Sequence, residues 1–254
     1  MMSFRNALFF LVLLPASALG QDEARIDPGA VAILDHMSGI IGDLSSLSVT
    51  VRTAQDVQDN TFFVPEDNVG NVKQFAEHQV SLSGPNRFQV DTRNERGHFG
   101  YWFNGDYLAF YSYTNNHFSV LETDSLASLD VIYLLHQDYE VEFPAADFFN
   151  PSFTDDLLNA SDRLLFLGEK AVEGKPCFHL LAKMADMSVQ LWISNDALTL
   201  PVKMVINYLD REDNPQYEAT YTHWELNPVL PEALFNFVPP GSATTVTLVP
   251  VTEH

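Results

Sequence analysis

A long succession of short strand-like segments, many of them apolar on both faces, constrains the fold more than any other feature. From Leu47 onward apolar and polar residues alternate with a period of two, and turn signals such as Gly84-Pro85-Asn86 and Asn104-Gly105-Asp106 separate the segments. Short turns between consecutive strands favour antiparallel pairing. Because a sheet that is apolar on both sides needs two partners, we expect helices on one side and a sheet that curves on itself.

A few segments have helical rather than strand spacing. Asp27-Pro28 is typical of a helix start, and apolar residues recur at helical spacing from Ala30 to Leu44. A second helix is predicted over Ser125 to Gln137, with short helical turns at 144–148 and 155–160. After the strand that begins at Leu47, strands are predicted at 72–82, 87–93, 99–104, 107–113, 117–122, 163–173, 176–184, 188–194, 201–210 and 215–225, with a last short one at 234–238.

Residues 1–20 have the pattern of a cleavable secretory signal peptide. Arg5 is followed by the apolar run 7–14, and small residues around Ala18 and Gly20 offer cleavage sites. We therefore expect an exported, periplasmic protein whose single domain covers residues 21–254.

The chain is strongly acidic, with 34 Asp and Glu residues against 13 Lys and Arg residues and a formal net charge of −21. Such a surface disfavours nucleic acid, because phosphate binding requires clustered Lys and Arg. It also disfavours an anionic membrane surface. The single cysteine excludes an internal disulfide. Nothing in the sequence fixes the oligomeric state.

Catalytic motifs are not found: the chain has no G-x-S-x-G, S-x-x-K or H-E-x-x-H sequence, and its histidines are scattered. We therefore predict no catalytic residues, no cofactor and no metal. Cys177 and His179 share one face of a predicted strand. They could form a thiolate–imidazole pair, but a buried thiol that only packs is the favoured interpretation.

Several short stretches together resemble one family. They are Ile26-Asp27-Pro28, Phe103-Asn104-Gly105, the run 168–177, Leu191-Trp192-Ile193, Leu200-Pro201-Val202-Lys203, the run 224–228 and the run 235–241. Their order and spacing are similar to those of predicted periplasmic proteins of unknown function within the LolA/LolB-like superfamily of lipoprotein carriers. The resemblance implies an α+β fold, mostly antiparallel: an unclosed half-barrel of about 10–11 strands, an N-terminal helix and a central helical plug. It also implies an apolar cavity.

On this basis we predict a non-enzymatic periplasmic carrier or chaperone-like protein that binds an acyl chain, a lipid or the lipid of a lipoprotein. A membrane protein partner is compatible with that role. The candidate cavity wall is Tyr101, Phe103, Phe178, Leu191, Ile193, Met204 and Ile206, and the candidate lid is Leu129, Ile132, Leu135 and Phe148. Aromatic strand residues could equally fill a core. Two alternatives stay open: an envelope-sensing or assembly module that binds a protein, and a hydrolase whose site is assembled from distant residues.

Overall fold

The computed structural model describes residues 26–58, 71–123, 126–139, 141, 143, 146–150 and 152–250. The predicted signal peptide lies outside these residues. Within them, no helix combines the length and the apolar character needed to span a membrane.

Twelve strands form one sheet. They are β1 (Ser46–Gln58), β2 (Asn71–Ser83), β3 (Phe88–Asn94), β4 (Gly97–Phe103), β5 (Tyr107–Ser112), β6 (His117–Glu122), β7 (Arg163–Val172), β8 (Lys175–Lys183), β9 (Met187–Ser194), β10 (Pro201–Tyr208), β11 (Gln216–Leu226) and β12 (Thr244–Thr245). The order is β12-β6-β5-β4-β3-β2-β1-β11-β10-β9-β8-β7, so in the described chain the outermost strands do not pair and the sheet is open. All neighbours are antiparallel except β12 and β6. The predicted fold class is confirmed, with slightly more strands than expected.

The helices are α1 (Pro28–Gly42), α2 (Ser128–Tyr139) and α3 (Phe153–Ala160), with 3-10 helices at Ala146–Phe149 and Glu232–Phe235. Asp27 caps α1 as expected, because its Oδ1 accepts a hydrogen bond from the Gly29 N–H at 2.7 Å. Pro28 follows at the first helical position, where a missing N–H costs nothing. The predicted N-terminal helix and central helical insert are therefore both present.

One hydrophobic core joins the helices to a single face of the sheet, which we call the inner face. Leu34 and Met37 of α1 and Leu135 of α2 are buried in the same cluster as Val51 of β1 and Leu191 of β9. Since this cluster collects residues from strands far apart in the sheet order, the sheet wraps around the helices. The opposite, outer face is partly charged and partly aromatic.

The aromatic part of the outer face is covered by the chain's own C-terminal segment. The Phe237 ring lies 4.9 Å from the ring of Trp102 and 5.7 Å from those of Tyr111 and Phe118. The N–H of Phe237 donates to the Tyr107 hydroxyl at 3.1 Å. This segment is the second partner that the two-sided apolar pattern of β4–β6 requires.

The prediction of a short strand at 234–238 is wrong. The Leu234 N–H donates to the Pro231 carbonyl, which gives a 3-10 helix that buries Phe235. Pro239 and Pro240 lack the N–H that would continue a ladder. The last strand is instead β12, further along the chain.

A cavity on the inner face of the open sheet

The candidate site is a cavity of about 830 Å³ at one end of the sheet. Strands β1 and β2, the β3–β4 turn and the β10–β11 loop meet there with the C-terminal end of α2, which contributes His136 and Tyr139. Along β1, Leu47, Val49 and Val51 are buried, whereas Thr53 and Gln55 on the same face line the cavity. The inner face therefore changes from core to cavity at the point where helical cover ends.

Aromatic side chains form one wall. Tyr101 and Phe110 are cross-strand partners on β4 and β5, with ring centroids 5.3 Å apart, and Phe99 lies 6.1 Å from Phe110. Tyr217 of β11 and Tyr139 of α2 also line the cavity. Burial raises the pKa of Tyr101 to about 12, so its phenol keeps its proton and stays uncharged at neutral pH.

His78 lies between this cavity and the core. Its Nε2 is 3.2 Å from the Thr53 hydroxyl, and its Nδ1 is 3.0 Å from the hydroxyl of its cross-strand partner Thr92. Burial lowers the pKa of His78 to about 4, and the charge of Glu77 offsets part of that effect. The imidazole is therefore neutral at pH 7, and both its nitrogens are already engaged.

Neutral polar side chains from β1, β2 and β3 line another part of the cavity: Thr53, Gln55, Gln74, Thr92 and Asn94. The rim of the cavity is charged. It carries Arg96 and Glu95 from the β3–β4 turn, Arg211 from the loop between β10 and β11, and His136 from α2. A wall of aromatic rings with a charged rim suits a ligand that has an apolar body and a polar end.

The residues predicted for the cavity wall all lie on the inner face, but at different depths. Tyr101 lines the cavity, and Ile206 is half-buried beside Tyr217, its cross-strand partner. Phe178 is half-buried and packs edge-on against Phe166, 6.0 Å away. The other four are buried in the core: Phe103, Leu191, Ile193 and Met204. A role for any of the seven in ligand binding stays a prediction.

The residues predicted for the lid pack on the sheet. Ile132 and Leu135 of α2 are buried, as is Phe148, whose ring meets that of Tyr221 at 5.3 Å. Leu129 is half-buried against the same core. The central helical insert thus packs against the inner face, as expected of a plug, while its movement as a lid stays a prediction.

Several cavity residues were not among the predicted ones: Thr53, His78, Thr92, Arg96, Phe99, Phe110, Arg211 and Tyr217. One signal could have found some of them, because the inner-face positions of β1 change from aliphatic to polar after Val51. Arg96 and Arg211 lie in turns, and no periodicity marks them.

Cys177 lies on the outer face of β8, away from the cavity. Its buried Sγ is 3.5 Å from the Lys175 carbonyl, and burial raises the pKa of the thiol. The His179 ring stacks on Trp192 at 4.4 Å, and its Nε2 is 3.0 Å from Gln190 Oε1. This geometry fits a packing thiol better than a thiolate–imidazole pair. In the described part of the chain, no three His, Cys, Asp or Glu side chains cluster as metal ligands would.

The family described as predicted periplasmic protein (DUF2092) matches residues 30–249, which is most of the chain. The chain belongs to the DUF2092 family. This membership confirms the prediction of a family of predicted periplasmic proteins and the predicted periplasmic location. No curated protein is significantly similar in sequence.

Solved structures similar to this DUF2092 protein have low sequence identity to it. An uncharacterized conserved protein from Thermus thermophilus is 14% identical, with 86% of this chain and 98% of that chain covered and a TM-score of 0.48. The Mycobacterium tuberculosis lipoprotein LppX is 15% identical, with 80% and 98% covered and a TM-score of 0.49. The LolA superfamily protein NE2245 from Nitrosomonas europaea is 12% identical, with 82% and 97% covered and a TM-score of 0.36.

Proposed function

We propose that this DUF2092 protein is a non-enzymatic periplasmic carrier that binds the apolar chain of an amphiphile on the inner face of its half-barrel. The observation that carries the proposal is the open cavity of about 830 Å³ with Phe99, Tyr101 and Phe110 on its wall. Ligand pockets typically measure about 300–1,000 Å³, so one small amphiphile fits.

Burial of the ligand's apolar chain supplies the binding energy. Each methylene removed from water contributes about 0.8 kcal/mol, so ten contribute about 8 kcal/mol before the cost of association. The cavity's aromatic wall provides such surface without requiring a fixed hydrogen-bond pattern along the chain. The site therefore accepts apolar chains by length and shape.

Helix α2 connects the cavity to the core and is the element that we expect to move. Its C-terminal end forms part of the cavity wall through His136 and Tyr139, while Ile132 and Leu135 occupy the adjacent inner face. A ligand chain that extends beyond the open cavity competes with the side chains of Ile132 and Leu135 for the same surface. Binding then favours the state in which α2 is displaced.

The buried histidine of the cavity has the chemistry of a packing residue rather than that of a general base. A general base needs an accessible lone pair and a pKa near the working pH. His78 has a pKa of about 4, and its two nitrogens lie beside threonine hydroxyls. His78 therefore meets neither requirement.

Two measurements test the proposal. Native mass spectrometry of protein purified from its own periplasm should reveal a co-purified lipid, and a neutral naphthylamine probe should gain fluorescence on binding. Phe110→Glu, on the cavity wall, should abolish both signals. Val120→Glu, which adds the same charge at an exposed outer-face position of the adjacent β6, is the matched control and should retain them.

The proposal fails if the wild-type protein neither carries a lipid nor binds the probe. It also fails if folded Phe110→Glu binds as well as Val120→Glu, because the ligand then lies elsewhere.

A further inference from the structure

The mouth of the cavity is where the rim residues Glu95, Arg96, His136 and Arg211 lie, and its described charged side chains are mostly basic. The chain carries 34 acidic and 13 basic residues, yet the described residues that line the cavity include two arginines, Arg96 and Arg211, and a single carboxylate, Glu95. Among the described lining residues, positive side chains therefore outnumber negative ones, the reverse of the balance in the chain as a whole.

Among the described residues neither arginine forms an ion pair, and an aromatic ring holds the side chain of Arg211. The Arg211 guanidinium carbon lies 3.9 Å from the centroid of the Tyr208 ring, which fixes the side chain by a cation–π contact and leaves its N–H groups available. The Arg96 backbone N–H donates to Asn94 Oδ1 at 2.9 Å, which anchors the β3–β4 turn. Among the described residues, no carboxylate oxygen lies within 4.0 Å of either guanidinium.

The two arginines flank the mouth from different hairpins of the same end of the sheet. Arg96 belongs to the β3–β4 turn and Arg211 to the β10–β11 loop, with β2 and β1 between the two hairpins. The aromatic wall of Phe99, Tyr101 and Phe110 lies further in, on β4 and β5. An amphiphile whose chain lies on that wall has its polar end at the mouth.

We propose that the cavity selects amphiphiles with an anionic headgroup, whose carboxylate or phosphate oxygens accept hydrogen bonds from the guanidinium groups at the mouth. Guanidinium N–H groups match the geometry of both anions. This inference rests on the proposed carrier function and adds the chemistry of the ligand's polar end.

The test compares probes that share one chain and differ only in the headgroup. Dodecanoate, dodecyl phosphate, dodecanol and dodecyltrimethylammonium are titrated against the neutral naphthylamine probe, each below its micellar concentration. We expect the two anions to displace the probe at lower concentration than dodecanol does, and the cation to be weakest. Preference for dodecanoate indicates a free fatty acid, and preference for dodecyl phosphate indicates a phospholipid-like headgroup; both support the inference.

Arg96→Gln, Arg211→Gln and the double variant remove the charge at the mouth. Each contacting arginine should cost the anions roughly fivefold in Kd, the factor that corresponds to about 1 kcal/mol, and leave dodecanol unchanged. Arg52→Gln is the matched control, because it removes the same charge from the outer face, where Arg52 pairs with Glu77 at 3.0 Å. It should leave all four probes unaffected.

The inference is overturned if dodecanoate, dodecyl phosphate and dodecanol bind the wild-type protein equally. It is also overturned if the double variant keeps the wild-type preference for anions. In both cases dodecanol still displaces the probe and the carrier function stands. If the naphthylamine probe itself does not bind, the proposed function has failed and the inference fails with it.

Discussion

At the scale of single residues, His78 shows how the inner face changes from core to cavity. The residue is only 8% exposed, and it lies two positions from the buried Val80 on one side and from the cavity-lining Ala76 on the other. The hydroxyls of Thr53 and Thr92 satisfy both ring nitrogens, so a neutral histidine is accepted where a charged one would be unfavourable.

This environment predicts a specific loss of stability in acid. In the unfolded chain the pKa of His78 is about 6.5, whereas burial lowers it to about 4 in the folded protein. Well above pH 6.5 both states are neutral and the contribution is constant. Between pH 6.5 and 4 the unfolded state binds more protons, so the free energy of unfolding falls, by about 2 kcal/mol at pH 4.5.

Urea unfolding at pH 7 and pH 4.5 measures this loss. His78→Gln should show a fall smaller by about 2 kcal/mol than the wild type, because its side chain does not titrate. His117→Gln, which removes an exposed histidine on β6, should retain the full wild-type fall. Equal falls in the wild type and His78→Gln would mean that His78 is not buried in its neutral form.

Cys177 gives a second prediction at this scale. Cys177→Ala should lower the free energy of unfolding by about 1 kcal/mol, because it removes one small buried group, and should leave ligand binding unchanged. Chemical denaturation and the probe titration check the two parts. Loss of binding in a variant of normal stability would revive the Cys177–His179 pair as a functional site.

At the scale of elements, local signals decide what the sequence can predict. Helix α1 has a cap, a proline at its first position and regular apolar spacing, and all three features lie close together in the chain. Strand β12 has no such local signal, because it forms only by pairing with β6, which lies much earlier in the chain. There the Thr244 N–H donates to the Asn116 carbonyl at 3.0 Å. The cavity is equally non-local: its lining comes from β1 to β5, β11, two of the turns and the end of α2. Its extent depends on where α2 ends.

Helix α2 is the element on which a binding change depends. Ile132→Ala should lower the free energy of unfolding by about 2–5 kcal/mol, since the side chain is buried in the core. The same change should tighten binding of a fluorescent fatty acid, because it weakens the closed state more than the open one. Gln137→Ala, at an exposed position of the same helix, should change neither quantity.

The prediction fails if Ile132→Ala loses stability while its affinity for the fatty acid stays at the wild-type value. The helix would then be a fixed part of the core, and the ligand would occupy only the open cavity.

At the scale of the whole molecule, the two faces of the sheet have different roles. On the outer face, Lys73 and Lys203 both approach Glu218, at 3.7 and 2.9 Å, and Lys73 pairs with Asp56 at 3.1 Å. These pairs hold the pKa of Glu218 below its ordinary value, the contact with Lys203 most strongly. Such a charged surface is typical of a solvated face, so we expect an apolar ligand on the inner face.

Ile206→Asp tests whether the ligand binds to the inner face of the sheet. Ile206 is the cross-strand partner of Tyr217 on the inner face, so a carboxylate there lies beside the cavity, where it loses hydration and repels an anionic ligand. We expect binding of the fluorescent fatty acid to be lost while circular dichroism shows a folded protein. Val120→Asp, which adds the same charge at an exposed outer-face position of β6, should bind as the wild type does. Ile206→Thr, a milder change, should weaken binding if the aspartate variant does not fold.

If folded Ile206→Asp binds normally, the ligand does not use this wall. If the wild-type protein takes up no lipid, its inner face is already filled by its own side chains, and a protein-binding module becomes the better hypothesis.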